Sequence, residues 1–256
     1  MAGSLVMAGI AEWQRALGVP AEARVDRRVY KKLLLEGAKL TPADRKAIQE
    51  DVARIEWCAS IKPQHGFRAG KLGLLDVPEV QLLHCELRDR SRVERVATIV
   101  HRRIPYPVLV LLSADESVAL SAAEKRMSEA ERGAVVVERV LVSRWTKEER
   151  PGMLERIAEA VAAGGRAASL DELYSRWMGA LVDAEIDAKA GAEPRSELAP
   201  AEKLRLRDQI VTLERQIASA SSRLKSERHF NRKVEIGAEI KRLKAELDDT
   251  WTQLTT

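Results

Sequence analysis

The strongest constraint on this chain lies in its last quarter, where an apolar seam runs, breaks once and restarts out of register. Leu206, Ile210, Leu213, Ile217, Ala220 and Leu224 recur at spacings of 4, 3, 4, 3 and 4. This is the a/d rhythm by which one helix seats its side chains between those of another. In the same phase Glu227, Asn231 and Lys241 would enter the seam, and these are poor core residues. A second stripe instead runs through Ile236, Ile240, Leu243, Leu247, Trp251 and Leu254. Two stripes out of phase are both satisfied when the chain folds back on itself, so the pattern predicts an antiparallel helical hairpin with its tip near residues 227–232. A single continuous helix with a stutter is the alternative, because the tip has Asn231 but neither proline nor glycine. Each arm, of about 25 residues, would reach about 37 Å at 1.5 Å per residue. Such an arm has no pocket. It serves as a lever or a docking surface.

Ahead of the hairpin there is room for one ordinary domain in a chain of 256 residues. The expected organisation is a mixed α+β domain over residues 1–186, a small polar linker with two prolines over 187–200, and the coiled-coil hairpin over 201–256. No run of about 18 uninterrupted apolar residues occurs, which argues against a membrane span. Residues 1–17 lack a basic leader and carry Glu12, Trp13 and Arg15, so they read as a short amphipathic helix and not as a signal peptide. Cys58 and Cys85, the two cysteines, sit in apolar strand-like runs. Buried reduced thiols in a cytoplasmic protein are the expectation.

Local patterns fill in the first domain. Residues 25–36 read as a helix with Val29, Leu33 and Leu34 inward and Gly37 ending it. Thr41-Pro42-Ala43-Asp44 offers an N-cap, a first-turn proline and an early carboxylate for a helix running to about residue 52. Residues 54–61 and 80–88 are strand-like, separated by a loop holding Gly66, Gly70 and Gly73. Ser91-Arg92-Val93-Glu94 has the form of a capping box opening a helix with Val93, Val96, Ala97 and Val100 on one face. The continuous apolar run 108–113 predicts a central strand, followed by a turn at 114–117 and strands at 118–121 and 135–145. The strand–helix–strand order across 80–112 favours a right-handed crossover between parallel strands. The remaining strands suggest antiparallel neighbours. Helices over 153–163 and from the capping box Ser169-Leu170-Asp171-Glu172 follow, the latter lining Leu170, Leu173, Trp177 and Leu181 on one face. The fold class is therefore α+β: a mixed sheet of about five strands with flanking helices, then the helical hairpin.

Catalytic signals are weak. His65, His84, His101 and His229 are scattered, and His84-Cys85 are strand neighbours facing opposite ways. No C-x-x-C, phosphate-loop or G-x-S-x-G motif occurs, and no cofactor or metal ligand set is expected. A nuclease would need carboxylates gathered around Mg²⁺ with a nearby lysine. Asp115, Glu116, Glu124 and Lys125 are the only such group, but the first two sit in a turn and the last two are adjacent, facing opposite ways on a strand.

Basic residues cluster in three places. Arg24, Arg27, Arg28, Lys31 and Lys32 form the first, and Lys62, His65, Arg68 and Lys71, with Phe67 among them, the second. In the first hairpin arm and tip, Lys203, Arg205, Arg207, Arg215, Arg223, Lys225, Arg228, Arg232 and Lys233 outnumber Asp208, Glu214 and Glu227. Lys/Arg fields of this kind hold phosphates in a salt-dependent way, although on helices they are more often solvated faces.

Several segments carry a resemblance. His101-Arg-Arg-Ile-Pro-Tyr-Pro-Val108 leads through the LVLLS strand to Leu120-Ser-Ala-Ala-Glu-Lys-Arg126. Val135-Val-Val-Glu138 is followed by Ser143-Arg-Trp145, and Phe230-Asn-Arg-Lys-Val-Glu235 lies in the hairpin. With residues 25–63, these resemble the bacterial family of domains of unknown function numbered 4391. The resemblance implies a subunit encoded beside helicase-like ATPases and DNA methyltransferases in restriction-like, anti-phage gene clusters. It carries over no catalytic residue. Pro105, Tyr106, Pro107, Lys125, Arg126, Glu138 and Trp145 are its matching positions, the prolines reading as a rigid bend feeding the central strand.

The expectation is thus a non-catalytic accessory subunit docking a helicase or methyltransferase and contacting DNA. Lys125, Arg126, Arg223, Lys225, Arg228, Arg232 and Lys233 are the candidate binding residues. A divergent metal-dependent nuclease using residues 115–125, or a homodimeric coiled-coil scaffold, stands as the alternative.

Overall fold

The computed structural model describes residues 3–36, 40–130, 134–147, 153–163, 165–190 and 198–255. The chain divides into two compact units, residues 1–189 and 190–256.

In the first unit, helix α1 (Gly3–Ala16) precedes strand β1 (Arg24–Arg28). Two short helices, α2 (Lys31–Leu35) and α3 (Pro42–Lys46), lead through a wide helical turn over Ala47–Asp51 into β2 (Val52–Ile61). A small hairpin of β3 (Gly70–Leu72) and β4 (Leu75–Val77) occupies the glycine-containing loop before β5 (Val80–Leu87). Then come α4 (Val93–Arg103), β6 (Val108–Ala114), β7 (Ser117–Met127), β8 (Val135–Val142) and the two-residue β9 (Thr146–Lys147). Helices α5 (Met153–Ala162) and α6 (Leu170–Ala190) complete the unit. The sheet order is β1-β2-β5-β6-β7-β8, with β9 pairing β7. Among the described residues only β5 and β6 are parallel (Gln81 opposite Val108, Cys85 opposite Leu112), joined through α4 as a crossover unit. Every other pairing described in this sheet is antiparallel.

Both faces of the central strands are covered, which is why β6 is buried along its whole length. On one face Val96, Ile99 and Val100 of α4 pack with Leu83, Cys85, Leu87, Val110 and Leu112. On the other, α6 buries Leu170, Leu173, Trp177 and Leu181. The Trp177 indole N–H donates to the Leu17 carbonyl at 2.8 Å. The Tyr174 hydroxyl donates to the Ala123 carbonyl and accepts from the Ala123 amide, both at 2.9 Å. Each satisfies a polar group that burial would otherwise leave costly.

Four local expectations are corrected. Residues 25–36 form β1 and the short α2 instead of one helix, because Arg27 and Arg28 pair with Trp57 and Glu56 of β2; tertiary pairing overrides local preference. Leu33, expected inward, is 59% exposed. The Ser91 capping box does not form: its hydroxyl bonds Asp89 at 2.9 Å, and Arg92 is the N-cap of α4 without a side-chain bond. Strand β8 ends at Val142, where the Ser143 hydroxyl accepts from the Leu120 amide at 2.9 Å. By contrast, Thr41 and Asp44 do form a capping box on α3, with Thr41 Oγ1 accepting from the Asp44 amide at 3.2 Å.

The second unit is the hairpin: α7 (Pro200–Ser226), a tip of three residues, and α8 (Phe230–Thr255). The chain folds back as the two stripes predict. Leu206, Ile210, Leu213, Ala220, Leu243 and Leu254 are buried. Arg223 near the end of α7 reaches Glu239 of α8 at 2.8 and 2.9 Å, fixing the two arms together. The arms, of 27 and 26 residues, are about 40 Å long.

Candidate functional site

The sequence-predicted binding residues separate into two environments. Lys125 on β7 is 6% exposed, and its ammonium donates to the carbonyls of Ile104 and Tyr106 at 2.5 and 2.6 Å. Burial pushes its pKa down to about 7. This lysine therefore anchors the Pro105-Tyr106-Pro107 bend from inside and is not presented to a phosphate. Arg126 is on the surface but paired with Glu138 at 2.7 Å, and its guanidinium also donates to the Met127 carbonyl at 3.0 Å. Trp145 receives the Arg90 guanidinium over its ring at 5.3 Å. The family-matching positions of the body thus hold its own structure together.

Parts of the two basic clusters of the body are tied down in the same way, while Arg24, Arg27, Arg28 and Arg68 are exposed. Lys31 reaches the carbonyls of Val52 and Gln49. Phe67 is buried with the Arg166 guanidinium 5.1 Å over its ring, and the Arg68 amide donates to the Ala168 carbonyl at 2.9 Å.

Two polar groupings inside the sheet escaped the sequence reading, because strand order brings their members together. Ser113 Oγ lies 2.7 Å from His84 Nε2, while Glu56 lies 3.5 Å from His84 Nδ1. The order serine, histidine, carboxylate invites comparison with a nucleophilic triad. However, the carboxylate is too far for an aligned bond that would orient the ring, and Glu56 is itself held by Arg54. Desolvation pushes the His84 pKa down. On the opposite face His101 Nε2 lies 2.9 Å from Ser121 Oγ, and burial lowers the His101 pKa to about 3. These groups stitch strands and helix together. Cys58 and Cys85 are likewise buried thiols, pushed up to about 12 by desolvation, far from a reactive thiolate.

The nuclease candidates are dispersed. Asp115, at φ 53°, occupies the β6–β7 turn, whereas Glu124 lies seven residues beyond Ser117 on β7, some 23 Å along an extended strand. Glu124 is paired with Arg139 at 2.6 Å. Among the described residues, no three histidine, cysteine or carboxylate side chains gather as a metal site.

The hairpin tip is the other environment. Between residues 223 and 233 five cations (Arg223, Lys225, Arg228, Arg232 and Lys233) stand against one carboxylate, Glu227. That carboxylate faces its own backbone: Oε1 accepts from the amides of Arg228 and His229 at 2.7 and 2.8 Å, which holds its pKa below the usual range. Among the described residues no carboxylate pairs with Lys225, Arg228, Arg232 or Lys233. Next to them Phe230 is 77% and Val234 56% exposed. A concavity of about 650 Å³ beside the tip is lined by Arg223, Arg228, His229 and Arg232 together with the carboxylates Glu227 and Glu235. The sequence did carry a signal for the exposed pair. Extending the second stripe backward places Lys233 and His229 on the seam, so Phe230 and Val234 fall one position outside it.

A mixed α+β sheet domain carrying a basic helical hairpin is the class that these features define. The chain belongs to the family described as "Domain of unknown function (DUF4391)", which it matches over residues 17–247. No curated protein and no solved structure matches it. Among the described residues, no helix is long and apolar enough to cross a membrane.

Proposed function

We propose that this chain is a non-catalytic accessory subunit of a cytoplasmic DNA-targeting assembly of the restriction-like, anti-phage kind. In this reading the hairpin docks a helicase-like ATPase or a DNA methyltransferase, and its tip contacts nucleic-acid phosphate. The observation that carries it is the tip, where Lys225, Arg228, Arg232 and Lys233 face solvent and form no ion pair among the described residues. Cations in that condition release counterions when they meet phosphate, and affinity then falls steeply with salt. The partner enzymes are the ones that the family resemblance implies. In the sheet unit Lys125, Arg126, Arg92 and Arg95 are committed to internal partners.

The test joins two measurements on the full chain. Co-expression with the neighbouring genes, followed by a tagged pull-down from nuclease-treated lysate, is expected to retain a helicase or methyltransferase in stoichiometric amount. Arg228→Glu, Arg232→Glu and Lys233→Glu combined should weaken DNA binding and flatten the dependence of log K on log salt by about 0.7–0.9 for each phosphate no longer neutralised. Unchanged assembly together with an unchanged salt slope would remove the tip from the function. Divalent-metal-dependent cleavage of DNA abolished by Glu124→Ala would instead establish the nuclease.

A further inference from the structure

We infer that the hairpin tip grips single-stranded nucleic acid, with the Phe230 ring stacking on an unpaired base while Arg228, Arg232 and Lys233 hold the adjoining phosphates. This rests on the proposed phosphate binding and names the form of nucleic acid it takes.

Phe230 is 77% exposed on the first turn of α8 and contributes to neither apolar seam. A large aromatic ring left in water beside unpaired cations matches what single-strand binding requires: a π-face for a base and positive charge tracking the backbone. Duplex DNA gives the ring little to cover, since its bases are already stacked and its outer surface is sugar and phosphate. A protein helix docking along this face would need apolar anchors continuing at three-, four- and seven-residue steps. The stripe instead stops at Val234, because Lys233 and Gly237 occupy the next steps from Phe230. Charge complementarity completes the case. Glu227 is turned onto the amides of Arg228 and His229, and of the two carboxylates around the concavity, Glu227 and Glu235, neither forms an ion pair with Arg228, Arg232 or Lys233. The adjoining concavity of about 650 Å³ falls within the size that accommodates small ligands, enough for a nucleotide turned out from the strand.

The experiment measures binding of the full chain to three fluorescein-labelled probes: an oligothymidylate, an abasic phosphodiester of the same length, and a duplex. Wild type should bind oligothymidylate more tightly than either other probe. Phe230→Ala should weaken oligothymidylate binding about 5- to 150-fold, the range that base stacking supplies, down to the abasic level. Its salt slope and its duplex affinity should not change. Phe230→Trp should retain the preference, which separates loss of stacking from loss of fold. Equal wild-type affinity for oligothymidylate and the abasic chain, or no effect of Phe230→Ala, overturns the inference. If the triple charge reversal still weakens binding in that case, the phosphate binding stands alone. If wild type binds no probe, both fall together.

Discussion

The sheet unit and the hairpin tip are both rich in basic residues, and a set of those in the sheet unit is used in the opposite way to those of the tip. In the sheet unit Arg92 reaches Asp51 at 2.5 Å, Arg95 reaches Asp44 at 2.6 Å, and Arg176 reaches Glu172 at 2.6 Å. Arg103 donates to the carbonyls of Leu33 and Glu36, and Lys125 to those of Ile104 and Tyr106. At the tip the carboxylate is turned onto backbone amides and four cations are left to solvent. A cation becomes structural wherever the fold supplies a carboxylate or an orphan carbonyl within reach. It remains a binding group only where the fold withholds both. Counting lysines and arginines along the chain cannot separate the two cases. A local map of acceptors can.

Two aromatic residues test this contrast most sharply. Trp177→Ala empties a fully buried site and removes the bond to the Leu17 carbonyl, and should destabilise the chain by about 3–5 kcal/mol in urea unfolding. Phe230→Ala, on the exposed tip, should stay within about 0.5 kcal/mol. A comparable destabilisation from both would mean that the tip is part of the folded core and not a free surface.

Lys125→Met comes next. It leaves the Ile104 and Tyr106 carbonyls unpaired, and a cost of about 1–3 kcal/mol is expected. The sign with pH follows from burial. With a folded pKa near 7 against an ordinary 10.5, the unfolded chain binds a proton that the folded chain lacks between those values, so wild-type stability rises with pH there. The gap between wild type and Lys125→Met should therefore widen as pH climbs above about 7. A gap independent of pH would place the ammonium in water and break the comparison with the tip.

His101 gives an effect spread over the acid range. Its folded pKa near 3 lies below its ordinary 6.5, so the unfolded state gains protons first on acidification. Stability should fall as pH drops from 6.5 toward 3, by up to about 1.4 kcal/mol per pH unit, with the lowered His84 acting in the same direction. His101→Gln, able to keep a bond to Ser121, should flatten that acid limb when unfolding is followed across the range. An unaltered limb would assign the acid sensitivity elsewhere.

How much was legible in advance depended on whether the signal was periodic. The hairpin, the central strand at 108–113 and the inward face of α6 follow from apolar patterning, which reports which side of an element must leave water, and the parallel crossover through α4 follows from strand–helix–strand order. Residues 25–36 misled because helical spacing there competes with pairing of Arg27 and Arg28 across to β2, 28 or more residues away in sequence. Lys125 misled because its charge suggests a surface, while its place on β7 beneath the 104–107 bend puts it inside.

The sequence by itself therefore determined the α+β class and a basic hairpin whose tip interrupts two seams, since these rest on spacing and composition carried locally by the chain, and the family through the resemblance of its segments. Tertiary structure alone decided which charges are available. That depends on where strand order and chain reversal bring acceptors, and on burial, which sets the cost of leaving a charge unpaired. For this protein it withdrew Lys125 into the core and left Phe230, Arg228, Arg232 and Lys233 facing solvent together.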